Sequence, residues 1–147
     1  MSLGESDAPP EGFILFSRRG NAESVLGPYY WRIQDGHRAM GFRVKSHHLN
    51  RNGVCHGGVI SAFADAQSAI LKIGTEVDCF VTPTINLTVD YIAPAREKNW
   101  IESAPVLVKK TNKLLFVAAN ISVDGGIIAR MNGIYKITST LVPEVSE

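Results

Sequence analysis

The stretch HGGVISAFADAQSAILKIG, from His56 to Gly74, limits most sharply what this chain can fold into. Its apolar and small residues Val59, Ile60, Ala62, Phe63, Ala64, Ala66, Ala69, Ile70 and Ile73 fall nearly all round a helical cylinder. Gly57-Gly58 opens the segment and Gly74 stops it, which predicts a helix of about five turns. A helix so poor in polar surface is wrapped by other elements rather than laid on a surface. One polar stripe remains, Ser61, Asp65, Ser68 and Lys72, spaced 4, 3 and 4 residues apart on a single line of the cylinder. By periodicity alone that stripe reads as a solvated face.

The rest of the chain reads as strands. YYWRIQDGHRAMGFRV predicts two strands joined at Asp35-Gly36, because both residues of that dipeptide tolerate positive φ. A short helix over NAESVLG precedes them, with Asn21 as its N-cap and Gly27 as its stop. In TPTINLTVDYIAPA, Ile85, Leu87, Val89 and Tyr91 alternate with Thr84, Asn86, Thr88 and Asp90, which predicts a strand with one buried and one polar face. Pro83 suits only its first residues or an edge, and Pro94 ends it. WIESAPVLVKK and LLFVAANISVD form a second hairpin around Thr111-Asn112, and DGG at 124–126 turns the chain into a last strand, IIARMNGIYKI. The order is β-β-α-β-β-β-β. This is an α+β chain, a mostly antiparallel sheet of about six strands with one long central helix.

Bulk properties exclude several classes. The net charge is +1, so no global field points to nucleic acid or to an anionic membrane surface. No apolar run approaches the roughly 20 residues that a membrane helix needs. The opening MSLGESDAPPEGF lacks the basic and apolar regions of a leader, and Cys55 and Cys79 form no paired-cysteine motif. Two reduced thiols and a cytoplasmic location are expected. The expected organisation is a flexible lead-in over 1–12, one domain over 13–140 and a tail over 141–147.

Candidate chemistry begins at the helix entrance. With Gly57-Gly58 there, the first unpaired N–H groups have no side chain guarding them, and the positive end of the helix dipole favours an anion or a polarised carbonyl. Asp65 lies eight residues on, roughly 12 Å along the axis, which is far for a direct partner within one chain. A substrate would have to span that length, or a second subunit would have to complete the pocket.

The pattern Asn50-x-x-Gly53-x-x-His56-Gly57-Gly58-x6-Asp65, followed by a strand ending in Ala93-Pro94-Ala95-Arg96, resembles the hot dog-fold acyl-CoA thioesterases of the phenylacetic-acid-degradation (PaaI) type. The likeness runs from about Gly27 to Ile137. It implies a sheet curled around a central helix, and two such units paired edge to edge with active sites between them, as a dimer or a dimer of dimers. It also implies roles: the Gly57 N–H polarises the thioester carbonyl, and Asn50 orients the water or the acyl carbonyl. Asp65 from the partner acts as nucleophile or general base, Thr84 helps hold the water, and His56 contacts the thioester or fixes the turn. The implied reaction is hydrolysis of acyl-CoA to free acid and coenzyme A, without cofactor or metal, coenzyme A being part of the substrate.

For the coenzyme A phosphates, the resemblance points to Lys109, Lys110 and Lys113 on the second hairpin, to Arg96 at the strand end and to Arg130 on the last strand. Lysines at hairpins and edges also serve solubility and block edge pairing. Asn86 stands where a number of relatives carry Asp. His47, His48, Cys55 and His56 offer four N/S donors within ten residues, the competing metal reading, yet their spacing matches no zinc pattern. Two other functions share the fold: a hydratase or dehydratase of enoyl or hydroxyacyl thioesters, and a non-catalytic acyl-CoA-binding dimer.

Overall fold

In the computed structural model, residues 7–17 and 20–144 are described. The lead-in expected over 1–12 and the tail expected over 141–147 therefore fall partly outside the described residues. The elements run β1 (Ile14–Leu15), α1 (Asn21–Leu26), β2 (Tyr30–Gln34), β3 (His37–Arg43), α2 (Gly57–Asp65), α3 (Gln67–Lys72), β4 (Thr84–Tyr91), β5 (Trp100–Lys110), β6 (Leu114–Val123) and β7 (Gly126–Lys136). All seven strands form one antiparallel sheet in the order β1-β2-β3-β5-β6-β7-β4. The strand beyond the six expected is β1, a two-residue strand that pairs Ile14 with Trp31 and Leu15 with Tyr30. It is too short to carry a periodic signal.

The turns form where the residues demand them. Asp35 and Gly36 both take positive φ, 51° and 76°, and close the two-residue β2–β3 hairpin with Gln34 opposite His37. Thr111 caps the β5–β6 turn by accepting from the N–H groups of Lys113 and Leu114. α1 begins at Asn21, but its N-cap is Gly20, one residue earlier than expected. The Gly20 N–H donates to Glu23 Oε2 at 2.9 Å, so Glu23 supplies the cap contact.

The long segment is helical from Gly57 to Lys72, with a joint at Ala66. The joint has identifiable causes. Tyr135 donates to the Asp65 carbonyl at 3.1 Å, and Gln67 Nε2 donates to the Phe63 carbonyl at 2.8 Å. Both carbonyls would otherwise serve the next turn, and the Ala69 N–H turns instead to Ala66 O at 3.1 Å. The joint thus falls directly after Asp65.

The sheet curls around this helix. Phe42, Phe63, Ile70, Ile101, Val117, Ile121 and Met131 are buried between them, each contributing about 2 kcal/mol on full burial. Tyr29 packs edge-on and Phe42 tilted against Phe63, with ring centroids 5.5 and 5.0 Å away. The stripe read as solvated is mostly not so: Ser68 and Lys72 are buried, and Lys72 Nζ donates to Phe80 O at 2.8 Å. It faces β4 and β7. The sheet leaves more open the neighbouring strip, in which Gly58 is exposed and Ala62, Ala66 and Ala69 are half-buried, with half-buried Asp65 where the two meet.

Candidate active site

The loop before α2 is built by its own polar side chains. Asn50 Oδ1 accepts from the N–H groups of Asn52 and Val54, at 2.9 and 3.3 Å, and the Asn50 N–H reaches Val54 O at 2.9 Å. Its side-chain oxygen therefore shapes the turn, leaving the amide N–H pair as the group able to meet a ligand. Gly53 supplies the positive φ, 73°, that closes this turn.

His48 locks the loop from beneath. Its Nδ1 accepts from the Lys45 N–H at 3.0 Å and its Nε2 lies 2.6 Å from Leu26 O. Both contacts are satisfied only by the neutral ring with its proton on Nε2, and burial lowers the His48 pKa below its ordinary value of 6.5. With both nitrogens engaged, His48 is occupied as a structural residue. Among the described residues, no group of three or more His, Cys, Asp or Glu is arranged to hold a metal.

His56 is the N-cap of α2. Its Nδ1 accepts from the Gly58 N–H at 2.8 Å, the cap bond that a helix N-terminus needs. That capture matters chemically: the Gly58 donor is spent, whereas no acceptor for the Gly57 N–H is found among the described residues. Tyr91 lies against the same turn. Its hydroxyl donates to Gly57 O at 3.0 Å and meets Ser61 Oγ, so the Gly57–Gly58 peptide, the one next to the Gly57 N–H, is fixed from its carbonyl side. A side chain at Gly57 would come within 3.3 Å of the Tyr91 ring.

Asp65 lies two turns further on. Thr84 Oγ1 donates to Asp65 Oδ1 at 2.7 Å, a charge-assisted bond that orients the carboxylate. The alternation expected for β4 needs correction here. Between Thr84 and Asn86 the register against β7 shifts, so Thr84 lies opposite Tyr135 while Asn86 lies opposite Ile134. The resulting bulge at Ile85 turns Thr84 off the polar face and toward the helix. Tyr135 is buried, and burial together with the Asp65 charge pushes its phenol well above its ordinary range.

The basic residues divide between sites. The Arg96 backbone pairs with that of Val54 beside the α2 entrance, next to a groove of about 350 Å³ that runs past Gly57, Tyr91 and the Ala93-Pro94-Ala95 segment. Lys109, Lys110 and Lys113 stand on the β5–β6 hairpin at the opposite end of the helix, where Lys110 pairs with Glu76. Arg130 is ion-paired across strands with Asp90 at 2.7 Å. One chain therefore brings Thr84 to Asp65 and sets His56 and Tyr91 against the Gly57 turn, with Asn50 shaping the loop before it, but keeps these two clusters apart. Tyr91 and Tyr135 were absent from the residues expected at the site. Each reaches its partner across a long sequence gap, and no short-range pattern announces such a contact.

This architecture, an antiparallel sheet wrapped around one central helix with a glycine turn at its entrance, is the hot dog fold. A profile of the Thioesterase superfamily matches residues 52–129, more than half of the chain, and the chain belongs to that superfamily. A Pseudomonas aeruginosa protein named "Putative esterase" is 26% identical over 130 residues, covering 87% of this chain and 96% of its own length. The Escherichia coli PaaI protein of the phenylacetic acid degradation operon superposes with a TM-score of 0.73 at 14% identity, covering 85% of this chain and 89% of its own. A hypothetical thioesterase protein of Streptococcus pneumoniae, solved with coenzyme A, superposes with a TM-score of 0.67 at 17% identity, over 78% and 91% of the two chains. No helix among the described residues is long and apolar enough to cross a membrane.

Proposed function

We propose that this protein is a homodimeric acyl-CoA thioesterase whose active sites lie between subunits. One observation carries the reading. β4 is the last strand of the sheet, its outer edge has no neighbour among the described residues, and it bears Thr84 at one end and Tyr91 at the other. Asp65 is held at the Thr84 end and Gly57 at the Tyr91 end. Two copies joined antiparallel through β4, with Thr84 opposite the partner's Tyr91, would lay each Asp65 beside the partner's Gly57. A two-fold axis thereby removes the 12 Å separation (roughly eight residues of helix rise) that one chain imposes.

In that site the thioester carbonyl accepts from the Gly57 N–H, which stabilises the oxyanion as it forms. Asp65 of the other subunit, held by Thr84, either takes the proton of an attacking water or itself attacks the carbonyl, forming a mixed anhydride that water hydrolyses to the free acid once the thiolate has left. The C–S bond then breaks, and coenzyme A leaves as thiolate and is protonated. The Asn50 amide N–H groups, left over when its oxygen closes the loop, orient the carbonyl or the water. Binding of coenzyme A by the Streptococcus pneumoniae relative supports the substrate class.

The test is release of coenzyme A, followed with a thiol reagent, from a panel of acetyl, medium-chain and arylacetyl esters. Wild type should hydrolyse at least one and Asp65→Asn none, with both proteins folded. Absence of release across the panel would refute the enzyme reading and favour the binding dimer. Hydration of an enoyl ester without release would favour the hydratase.

A further inference from the structure

Gln67 is wholly buried two residues after Asp65, on the side of the helix that faces β3 and β5. Its neighbours Met40 and Phe63 are wholly buried apolar residues. The amide is fully engaged among them. Nε2 donates to Phe63 O at 2.8 Å and approaches Met40 Sδ at 3.7 Å, and Oε1 accepts from the hydroxyl of Ser103, itself buried on β5. Such a pair is a poor source of stability. Its mutual bond does little more than offset the desolvation of both groups, and replacing both by apolar groups of similar shape is close to neutral or stabilising. An unbranched methionine at 67 with an alanine at 103 would occupy much the same space.

What the pair does is local. Gln67 holds Phe63 O from the side of β3 and β5, and Tyr135 holds Asp65 O from β7 at 3.1 Å. These two donors clamp the backbone just before Asp65 and at Asp65 itself. The joint follows at once: Ala66 has ψ −10°, and the Ala69 N–H turns back to Ala66 O. The carboxylate between the clamps meets Thr84 Oγ1 at 2.7 Å. Resting on the thioesterase reading above, we infer that Gln67 and Ser103 are positioning residues, a buried amide–hydroxyl pair that sets the helix joint and thereby aims the Asp65 carboxylate at Thr84 and the facing subunit. Without the amide, Phe63 O serves only the helix, the backbone at Ala66 relaxes toward regular geometry, and the carboxylate turns off Thr84. A misplacement of about 1 Å in a reacting group is enough to slow catalysis by a factor of ten or more.

Aim and stability are separated by changing both members of the pair. In Gln67→Met/Ser103→Ala the melting temperature should equal or exceed that of the unaltered protein, while kcat for coenzyme A release falls about tenfold or more and KM changes less than about twofold. Tyr135→Phe, which removes the second clamp and leaves the amide pair, should lower kcat with KM unchanged in the same way. Thr84→Val shows whether the effect passes through the carboxylate. In that background the paired change should lower kcat less than about twofold further, because the contact it aims at is already gone. A kcat that stays within a few-fold of the unaltered protein would overturn the positioning role and leave the thioesterase reading intact. So would a paired variant that melts well below the unaltered protein or does not fold, or losses that multiply in the Thr84→Val background. Absence of coenzyme A release by the unaltered protein from every ester would overturn both readings together.

Discussion

Replacing Gly57 by proline deletes one N–H and adds a ring whose Cβ comes within 3.3 Å of the Tyr91 ring. Gly57 is the first residue of α2, the helical position at which proline is best tolerated, because its N–H has no intrahelical partner. The preceding residue, His56, already has φ −62° and ψ 136°, the extended region that a following proline requires. The neighbouring donor cannot substitute, since the Gly58 N–H is held by His56 Nδ1 at 2.8 Å. Loss of one preorganised oxyanion donor costs about 3 kcal/mol, so kcat should fall roughly a hundredfold or more while the melting temperature moves little. Gly57→Ala is the control. It keeps the N–H but sets a methyl 3.3 Å from the exposed Tyr91 ring, which can yield by a few tenths of an ångström. The assay is coenzyme A release under saturating ester, with far-ultraviolet circular dichroism to confirm the fold. If proline keeps activity within a few-fold, or alanine loses as much as proline, the N–H is not the oxyanion donor.

Three further outcomes follow from contacts around the site. Tyr91→Phe removes the hydroxyl that fixes the Gly57 carbonyl, so kcat should fall several-fold with KM little changed, at a stability cost of about 1 kcal/mol in urea unfolding. Gly133→Ala puts a methyl within 2.6 Å of the Tyr135 ring, pushing away the hydroxyl that holds Asp65 O, and should cost about 1–3 kcal/mol by the same measurement. Stability should also depend on pH at both extremes. His48 has a lowered folded-state pKa, so its contribution is complete above 6.5 and is lost as pH falls. Tyr29, Tyr135 and Cys55 have raised ones, so theirs is complete below about 9 and is lost as pH rises through the alkaline range, which thermal melts across pH will register.

The architecture was legible wherever a residue's conformational limits act locally. Asp35-Gly36, Thr111 and Asp124-Gly125 mark their turns through positive φ or side-chain caps, and the apolar helix required a sheet to wrap it. What escaped was set by contacts distant in sequence. The Ile85 bulge, which rotates Thr84 onto Asp65, depends on pairing with β7 some fifty residues away. The joint after Asp65 depends on Tyr135 and Gln67 taking carbonyls that periodicity assigns to the helix. The polar stripe misled for the same reason: Ser68 and Lys72 find buried partners that only the folded sheet supplies. At the site, the Gly57-Gly58 entrance could be read from the residues and Asn50 and His56 only through the family resemblance, whereas Tyr91, 34 residues from Gly57, was announced by neither.

The dividing of each active site between two chains is the central claim, and subunit complementation tests it most directly. Gly57→Pro and Asp65→Asn proteins, each inactive, are unfolded together in equal amounts and refolded. In a mixed dimer, one site combines both lesions and the other combines an intact Gly57 with an intact Asp65. Random pairing makes half of the dimers mixed, so activity should return to about a quarter of wild type, carried by a species of twice the 16.0 kDa chain mass. Activity no greater than the sum of the two variants refolded separately, with mixed dimers shown to be present, would contradict it.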